Sequence, residues 1–242
     1  MTRALSALIF DVDGTLAETE EAHREAFNRA FADFGLPWRW NRPLYRELLK
    51  VSGGKERIRA YARRRDAARM DAGFDDLVLA LHRHKTTLYT QAVATGAVAF
   101  RPGIAEVIAE AREAGLRLAI ATTTSRANVV ALLDGATGGA GHGWFEVIAC
   151  AEDAPAKKPD PEVYTVALER LRLPAAACLA LEDSNNGTRA AVAAGIPVVV
   201  TESVYTDGDD FTGALAVFPD LSRVGLARLR ELHGGLSHTV GA

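Results

Sequence analysis

The stretch Leu8-Ile9-Phe10-Asp11-Val12-Asp13-Gly14-Thr15 decides the fold of this chain of 242 residues. Its apolar start is typical of a buried strand, and the strand ends at two aspartates separated by one residue. In open α/β sheets, ligands bind at the carboxyl ends of the strands. Two carboxylates at such a place are costly unless a cation or a substrate uses them. The stretch therefore predicts a metal-assisted reaction on an anion.

Four further apolar runs predict strands, and segments with helical periodicity lie between most of them. Strands that alternate with helices indicate an α/β fold with a parallel sheet covered on both faces. Besides Ala7–Phe10, the predicted strands are Leu116–Ala121, Val147–Cys150, Cys178–Leu181 and Pro197–Val200. The predicted helices are Ile104–Ala114, Asn128–Leu133, Glu162–Leu171 and Thr188–Ala194. We expect a mobile loop at the glycine-rich Gly135–Gly143 and a poorly ordered tail at Gly234–Ala242.

The segment from Glu20 to Thr95 shows no convincing strand, and its apolar residues recur at helical spacing. We interpret it as an all-helical domain inserted into the α/β core. Its predicted limits are residues 19–96, which leaves residues 1–18 and 97–242 for the core domain. Hinges are expected near Leu16–Thr19 and Ala94–Arg101, since the second connection contains Gly96 and leads into Pro102-Gly103.

Composition and charge argue against several classes of partner. The chain is 48% hydrophobic and 24% charged, with a formal net charge of -3, which is ordinary for a soluble globular protein. This charge gives no reason to expect a nucleic acid or an anionic membrane, and no segment approaches the ~20 apolar residues that span a bilayer. The apolar run after Arg3 is too short for a signal peptide, and two cysteines suit a reducing compartment. We therefore expect a cytoplasmic monomer.

Polar residues follow the other predicted strands as well. Thr122-Thr123-Thr124-Ser125 follows the second, Lys157-Lys158-Pro159 lies in the loop after Val147–Cys150, and Glu182-Asp183-Ser184 follows Cys178–Leu181. In a parallel sheet these segments emerge on one edge, beside Asp11 and Asp13. Carboxylates, a lysine and hydroxyls suit Mg²⁺ together with a phosphate group. Glu182-Asp183-Ser184 also suits a helix cap, which is the alternative reading of that segment.

Physical chemistry gives each of these groups a role. Unit like charges ~4 Å apart repel by about 4 kcal/mol at an effective dielectric near 20, so a carboxylate needs a bridging metal to approach a phosphate. Lys158 adds positive charge for the transferring oxygens, and a threonine hydroxyl donates a hydrogen bond. Which threonine contacts phosphate stays open; Thr122 directly ends the apolar run, and Thr123 follows it. Asp13 can protonate a leaving oxygen and later deprotonate water.

Together these segments resemble the four ordered motifs of the haloacid dehalogenase superfamily, and the helical insertion resembles its cap. The resemblance implies a Rossmann-like core with a parallel sheet and a cap that closes over the site. It implies that Asp11 is a nucleophile that forms an aspartyl-phosphate and that Asp13 is a general acid and base. It also implies a Mg²⁺ ion held by Asp11, the Asp13 carbonyl and Asp183 with Glu182 nearby, and phosphate bound by Thr122 and Lys158.

The predicted cap carries a finer resemblance. Glu18 and His23 follow the first motif as in sugar-phosphate phosphatases, and Ser52-Gly53-Gly54-Lys55-Glu56-Arg57 resembles the signature of the CbbY phosphatases. That family hydrolyses xylulose 1,5-bisphosphate to xylulose 5-phosphate and so clears an inhibitor of Rubisco in the Calvin cycle. Physically, Gly53 and Gly54 let backbone N–H groups approach an anion, and Lys55 or Arg57 could bind a second phosphate.

Three functions are compatible with these residues. The first is a Mg²⁺-dependent sugar-phosphate phosphatase, a phosphoric monoester hydrolase, of the CbbY kind. The second is a phosphosugar mutase of the β-phosphoglucomutase kind, in which the aspartyl-phosphate passes to a sugar hydroxyl instead of water. The third is a non-catalytic regulator that binds phosphate on the same scaffold. For His23, Lys55 and Arg57, a structural or solvated role is about as compatible with the sequence as substrate contact.

Overall fold

A six-stranded parallel sheet lies at the centre of the computed structural model, which describes residues 4–235. The strand order is β3-β2-β1-β4-β5-β6, and every neighbouring pair is parallel. The strands are β1 Ala7–Phe10, β2 Arg117–Ala121, β3 Val147–Ala149, β4 Cys178–Glu182, β5 Val198–Thr201 and β6 Ala216–Phe218. The predicted α/β fold and five of these strands are confirmed. The short β6 was missed, because its three residues are only partly buried or exposed.

The central strand β1 is apolar throughout because both of its faces are covered. Leu8 and Phe10 belong to one hydrophobic cluster, and Ala7 and Ile9 belong to another. Successive side chains of a strand point to opposite faces, so the two clusters are the two faces of the sheet. Since β1 lies between β2 and β4, the residues that follow these three strands meet at the middle of one edge.

The described residues between Glu20 and Ala92 form α-helices, one short 3₁₀ helix and no strand. The α-helices are α1 Glu20–Asp33, α2 Arg42–Leu49, α3 Gly54–Arg65 and α4 Phe74–Ala92. They enclose a hydrophobic cluster of their own that is rich in aromatic rings. In it the ring centroid of Trp40 lies 4.7 Å from that of Phe27 and 4.8 Å from that of Phe31. This is the predicted helical cap; its limits at residues 19 and 96 stay a prediction.

The helical cap contacts the core at the hinge and at a loop. Ala17 forms an isolated antiparallel bridge with Phe100, so the two chain connections between core and cap run side by side. Tyr205, from the loop after β5, packs its ring against Tyr45 in the cap cluster, and its hydroxyl donates a hydrogen bond to Glu21. These contacts hold the cap over the carboxyl edge of the sheet.

The core helices are α5 Ile104–Glu113, α6 Arg126–Thr137, α7 Glu162–Leu171, α8 Asn185–Ala193 and α9 Leu226–Gly235. The prediction of a mobile loop at Gly135–Gly143 is wrong, because α6 continues to Thr137 and a 3₁₀ helix follows at Ala140–Trp144. Gly135 packs so closely on the carbonyl of Val93 that a side chain would overlap it. This glycine serves close packing instead of flexibility. Of the tail predicted to be poorly ordered, Gly234 and Gly235 end α9, and residues 236–242 lie outside the described residues.

The described helices include no candidate for a membrane span. None of the helices within residues 4–235 combines the length and the apolar character that crossing a bilayer requires.

Candidate active site

Lys158 joins two carboxylates at the carboxyl edge of the sheet. Its Nζ lies 2.6 Å from Asp11 Oδ1, 2.6 Å from Glu182 Oε1 and 2.9 Å from the carbonyl oxygen of Ala121. Asp11 follows β1, Glu182 ends β4 and Ala121 ends β2, so adjacent strands supply all three acceptors. All four residues are buried. Opposite charges raise the pKa of Lys158 against the effect of burial, and the lysine therefore remains an ammonium ion.

Three carboxylates lie close enough to share one cation. Asp11, Glu182 and Asp183 each offer an oxygen, and these atoms lie within 4.8 Å of one another. Burial raises the pKa of Asp11 to about 8 and that of Asp183 well above its usual range, because one lysine does not balance three acids. Hard oxygen donors with a deficit of positive charge fit a divalent cation such as Mg²⁺. The residues present therefore suit a metal.

Asp13 faces away from this cluster, towards the cap. Its Oδ1 accepts a hydrogen bond from the Thr19 hydroxyl and lies 2.9 Å from His23 Nε2. His23 Nδ1 in turn lies 2.5 Å from Lys85 Nζ on α4. Burial alone would raise the pKa of Asp13, but the contacts of His23 and Thr19 outweigh it and hold that pKa at about 2. The two aspartates of the first motif thus have different environments: Asp11 belongs to the carboxylate cluster, and Asp13 contacts Thr19 and His23 on the cap side.

The phosphate-binding residues predicted from the sequence lie beside Asp11. Thr122, Thr123 and Lys158 line one large cavity of about 1190 Å³ between the sheet edge and the cap. Thr122 is buried, and its Oγ1 accepts a hydrogen bond of 3.2 Å from the backbone N–H of Thr124. The Thr124 hydroxyl accepts one of 2.7 Å from the Asn128 side chain. The structure thus brings the predicted core residues together around one opening.

The cap residues predicted to bind substrate differ in their contacts. Gly53, Gly54, Lys55 and Arg57 line the same cavity, and Gly53 has φ 91°, a value that favours glycine. The Arg57 guanidinium is engaged within the cap, where it donates to the Tyr45 hydroxyl at 3.0 Å and to the Leu48 carbonyl at 3.2 Å. It therefore serves the cap as well as the cavity wall.

Glu18 is not among the residues that line this cavity, and its predicted contact with substrate stays a prediction. Its Oε1 lies 3.0 Å from Arg101 Nε, in the second connection between core and cap. Arg101 also donates to the backbone carbonyls of Gly14, Thr201, Glu202 and Pro219. The carboxylate of Glu18 is thus drawn to the hinge by a buried guanidinium.

Two residues of the site were missed by sequence reasoning. Lys85 carried a signal, since it lies four residues after Leu81 and four before Tyr89, on the buried face of α4. A lysine on an apolar helix face is unusual enough to have been noticed. Tyr164 carried no such signal, because an aromatic residue on a helix usually indicates core packing. In the structure its hydroxyl donates a hydrogen bond of 2.6 Å to Glu182 Oε1.

Comparison with known proteins agrees with this geometry. The chain matches the haloacid dehalogenase-like hydrolase family over residues 5–195, and it belongs to that family. Within the family it is a phosphatase, a phosphoric monoester hydrolase. It is similar to the CbbY protein encoded on a plasmid of Cupriavidus necator, with 53% identity over 218 residues that cover 90% of this chain and 86% of the relative.

Two solved structures of CbbY from Rhodobacter sphaeroides share the fold closely. One is a complex with phosphate, with a TM-score of 0.87 and 46% identity, and it covers 93% of this chain and 99% of that one. The other is an Asp-to-Asn variant in complex with xylulose 1,5-bisphosphate, with a TM-score of 0.87, 45% identity and the same coverage of 93% and 99%.

Proposed function

We propose that this chain is a Mg²⁺-dependent sugar-phosphate phosphatase that hydrolyses xylulose 1,5-bisphosphate to xylulose 5-phosphate and phosphate. The observation that carries the proposal is the contact of 2.6 Å between Lys158 and Asp11, beside two further carboxylates, at the floor of a cavity that the cap covers. The similarity to a CbbY protein solved with xylulose 1,5-bisphosphate supports this substrate.

The proposed metal site uses Asp11, Asp183 and the backbone carbonyl of Asp13, with Glu182 beside them. When bound there, Mg²⁺ would supply the positive charge that lets a carboxylate meet a phosphate dianion. The protein's own Lys158 would bind the oxygens of the transferred group, and the Thr122 hydroxyl would donate a hydrogen bond to them. Thr122 follows β2, and Lys158 extends from the loop between β3 and α7 to Asp11 after β1 and Glu182 at the end of β4.

The proposed reaction has two steps that share one site. In the first, an Asp11 carboxylate oxygen attacks phosphorus, the bond from phosphorus to the sugar oxygen breaks, and Asp13 gives that oxygen a proton. In the second, Asp13 takes a proton from water, whose oxygen attacks the aspartyl-phosphate and releases inorganic phosphate. With a pKa of about 2, Asp13 is ionised, as the acceptor of the second step must be. For the first step its contacts with Thr19 and His23 must change when substrate binds.

The second phosphate of a bisphosphate needs a cation on the cap side of the cavity. Lys55 fits this role better than Arg57, because the Arg57 guanidinium is already bonded to Tyr45 and Leu48. Lys55 lies in the first turn of α3, next to Gly53 and Gly54. Backbone N–H groups at that helix start add to the attraction for an anion.

The test is phosphate release from a panel of sugar phosphates with Mg²⁺ and with EDTA. The panel contains xylulose 1,5-bisphosphate, ribulose 1,5-bisphosphate, glucose 1-phosphate and phosphoglycolate. We expect kcat/KM for the first to exceed that for each of the others by about tenfold or more, and no release in EDTA. Isomerised glucose phosphate without free phosphate would establish a mutase instead. Equal rates on all four would refute the substrate and keep the phosphatase.

A further inference from the structure

Tyr164, on α7, contacts the catalytic edge of the sheet without reaching the cavity. Its side chain is fully buried, and its hydroxyl donates a hydrogen bond of 2.6 Å to Glu182 Oε1. The same oxygen accepts a hydrogen bond of 2.6 Å from Lys158 Nζ. Lys158 Nζ also lies 5.0 Å from the centroid of the Tyr164 ring, within the range of a cation–π contact. One tyrosine therefore contacts both members of an ion pair.

Hydrogen bonds and close packing fix the position of the Glu182 carboxylate. Its Oε1 has two lone pairs, and Lys158 and Tyr164 each take one. Its Oε2 accepts a longer hydrogen bond of 3.3 Å from the backbone N–H of Asp183. Gly187 on α8 packs directly against the carboxylate, where a Cβ would overlap it. The glutamate is thus held from three sides, and a buried charge in such a network is worth most when every partner is present.

We propose that Tyr164 is a positioning residue that fixes the Glu182 carboxylate, which in turn holds the Lys158 ammonium beside Asp11. Through this chain of contacts the tyrosine sets the phosphate affinity of a site it does not touch. The proposal rests on the proposed function in one respect, that Lys158 binds the phosphate oxygens. It assigns Oε1 of Glu182 to the lysine.

The reaction explains why Lys158 needs a second, permanent partner. When Asp11 becomes an acyl phosphate, its carboxylate charge is gone, and the ammonium then faces the oxygens of a phosphoryl group that leaves as phosphate in the second step. Glu182 is not changed by the reaction and remains the counter-charge for a buried lysine. A lysine side chain has several rotatable bonds, so its ammonium stays in place only if the partner is itself rigid. The Tyr164 hydroxyl supplies that rigidity.

The variant Tyr164→Phe removes the hydroxyl and keeps the ring. We expect the Kd for inorganic phosphate, measured by calorimetry on the Mg²⁺-loaded protein, to rise about tenfold, because loosening a charge-assisted hydrogen bond has effects of this size. The Kd for Mg²⁺ should stay within about twofold of wild type. Asp183→Asn, which removes a proposed metal ligand, sets the scale of a direct metal effect. Tyr61→Phe, in the cap cluster, is the matched control and should change neither constant.

Each outcome bears on the proposal. A wild-type phosphate Kd in Tyr164→Phe, with or without a lower Tm, overturns it, and so does a Mg²⁺ Kd that rises as in Asp183→Asn. If Tyr164→Phe does not fold, Glu182→Gln replaces it, since this variant keeps the shape and weakens the hold on Lys158. It must then weaken phosphate binding at least tenfold at saturating Mg²⁺, and a wild-type phosphate Kd would overturn the proposal. Inorganic phosphate binding is independent of the sugar, so failure on xylulose 1,5-bisphosphate would not be mistaken for failure here.

Discussion

The two walls of the cavity hold their charges in different ways. On the core wall, Asp11, Lys158 and Glu182 are buried, and each is bonded to the next at 2.6 Å. On the cap wall, Lys55 is half-buried and Arg83 is exposed, and neither forms an ion pair with any residue in the described part of the chain. The core wall thus fixes these charges in contacts within the protein, whereas Lys55 and Arg83 are cations that a ligand could engage.

This difference separates catalysis from selection. Charges fixed in a buried network stabilise a transition state without reorganisation. Solvated cations attract a second charged group of the substrate, but by themselves they do little to exclude other substrates. Changes on the core wall should therefore remove turnover for every substrate. Changes on the cap wall should alter the preference among substrates and leave the chemical step intact.

The largest expected effect follows from replacing Asp11, the proposed nucleophile. Asp11→Asn keeps the size of the side chain but removes the attacking carboxylate, so kcat should fall on the order of 10⁴-fold for every phosphate ester. Phosphate release measures this loss, and circular dichroism checks that the fold is retained. Asp76→Asn, an exposed aspartate on α4, is the control and should keep wild-type activity. Turnover near wild type in Asp11→Asn would exclude the covalent mechanism.

A smaller effect is expected from crowding the core wall at Gly187. In Gly187→Ala the new Cβ would overlap the Glu182 carboxylate and displace the Lys158 ammonium. A misplacement of about 1 Å in such a site is worth roughly a hundredfold in kcat/KM. Alanine favours a helix by ~1 kcal/mol over glycine, which offsets part of the cost of the overlap, and circular dichroism checks that the fold is retained. Gly143→Ala has open space around it and is the control; equal activity in both variants would show that Glu182 tolerates displacement.

The core wall could be predicted from the sequence because it follows local rules. Asp11, Thr122 and Glu182 each end or follow a buried strand, and the parallel sheet brings such residues to one edge. Of the aspartate pair, Asp11 belongs to the acidic cluster, and the roles of the two stay a prediction. Tyr164 was not predictable in this way, because its role depends on where α7 packs across the sheet from Glu182.

The cap wall was harder to predict because its contacts join residues distant in sequence. The spacing of Lys55 and Arg57 makes them look equivalent, yet Arg57 turns inward to Tyr45, twelve positions earlier. Glu18 follows the first motif closely, yet Arg101 draws it to the hinge. In both cases a tertiary ion or hydrogen-bond partner overrides what the local pattern indicates. The motif gives the residue types, and the packing of the helices decides which of them face the cavity.

Lys85 differs from Lys55 and Arg83 on the cap wall because it is buried, and the pH dependence of stability should reveal this difference. Burial lowers its pKa from 10.5 to about 7. Below pH 7 Lys85 is protonated in both the folded and the unfolded state, and the full cost of burying its charge lowers the stability. Between pH 7 and 10.5 only the unfolded state stays protonated, so this group's contribution to stability rises with pH by up to about 1.4 kcal/mol per unit.

Lys85→Met should remove this rise in the free energy of unfolding. The measurement is urea unfolding of both proteins in EDTA from pH 7 to 9, where the stability of wild type should gain up to about 2.7 kcal/mol relative to the variant. Comparing the two proteins cancels the opposite trend expected from Asp11, whose pKa is raised to about 8. Lys50→Met, at an exposed position, should follow wild type. Parallel pH profiles for wild type and Lys85→Met would mean that Lys85 stays charged.

The smallest expected effect tests the cap wall itself. Lys55→Ala should lower kcat/KM about tenfold for xylulose 1,5-bisphosphate and leave glucose 1-phosphate within about twofold, because only the bisphosphate has a second anion for the ammonium to bind. The loss should lie in KM, since the reacting groups on the core wall are untouched. Arg59→Ala is the control, because Arg59 pairs with Asp75 and does not line the cavity. An equal loss on both substrates would place Lys55 with the catalytic groups and remove the distinction between the two walls.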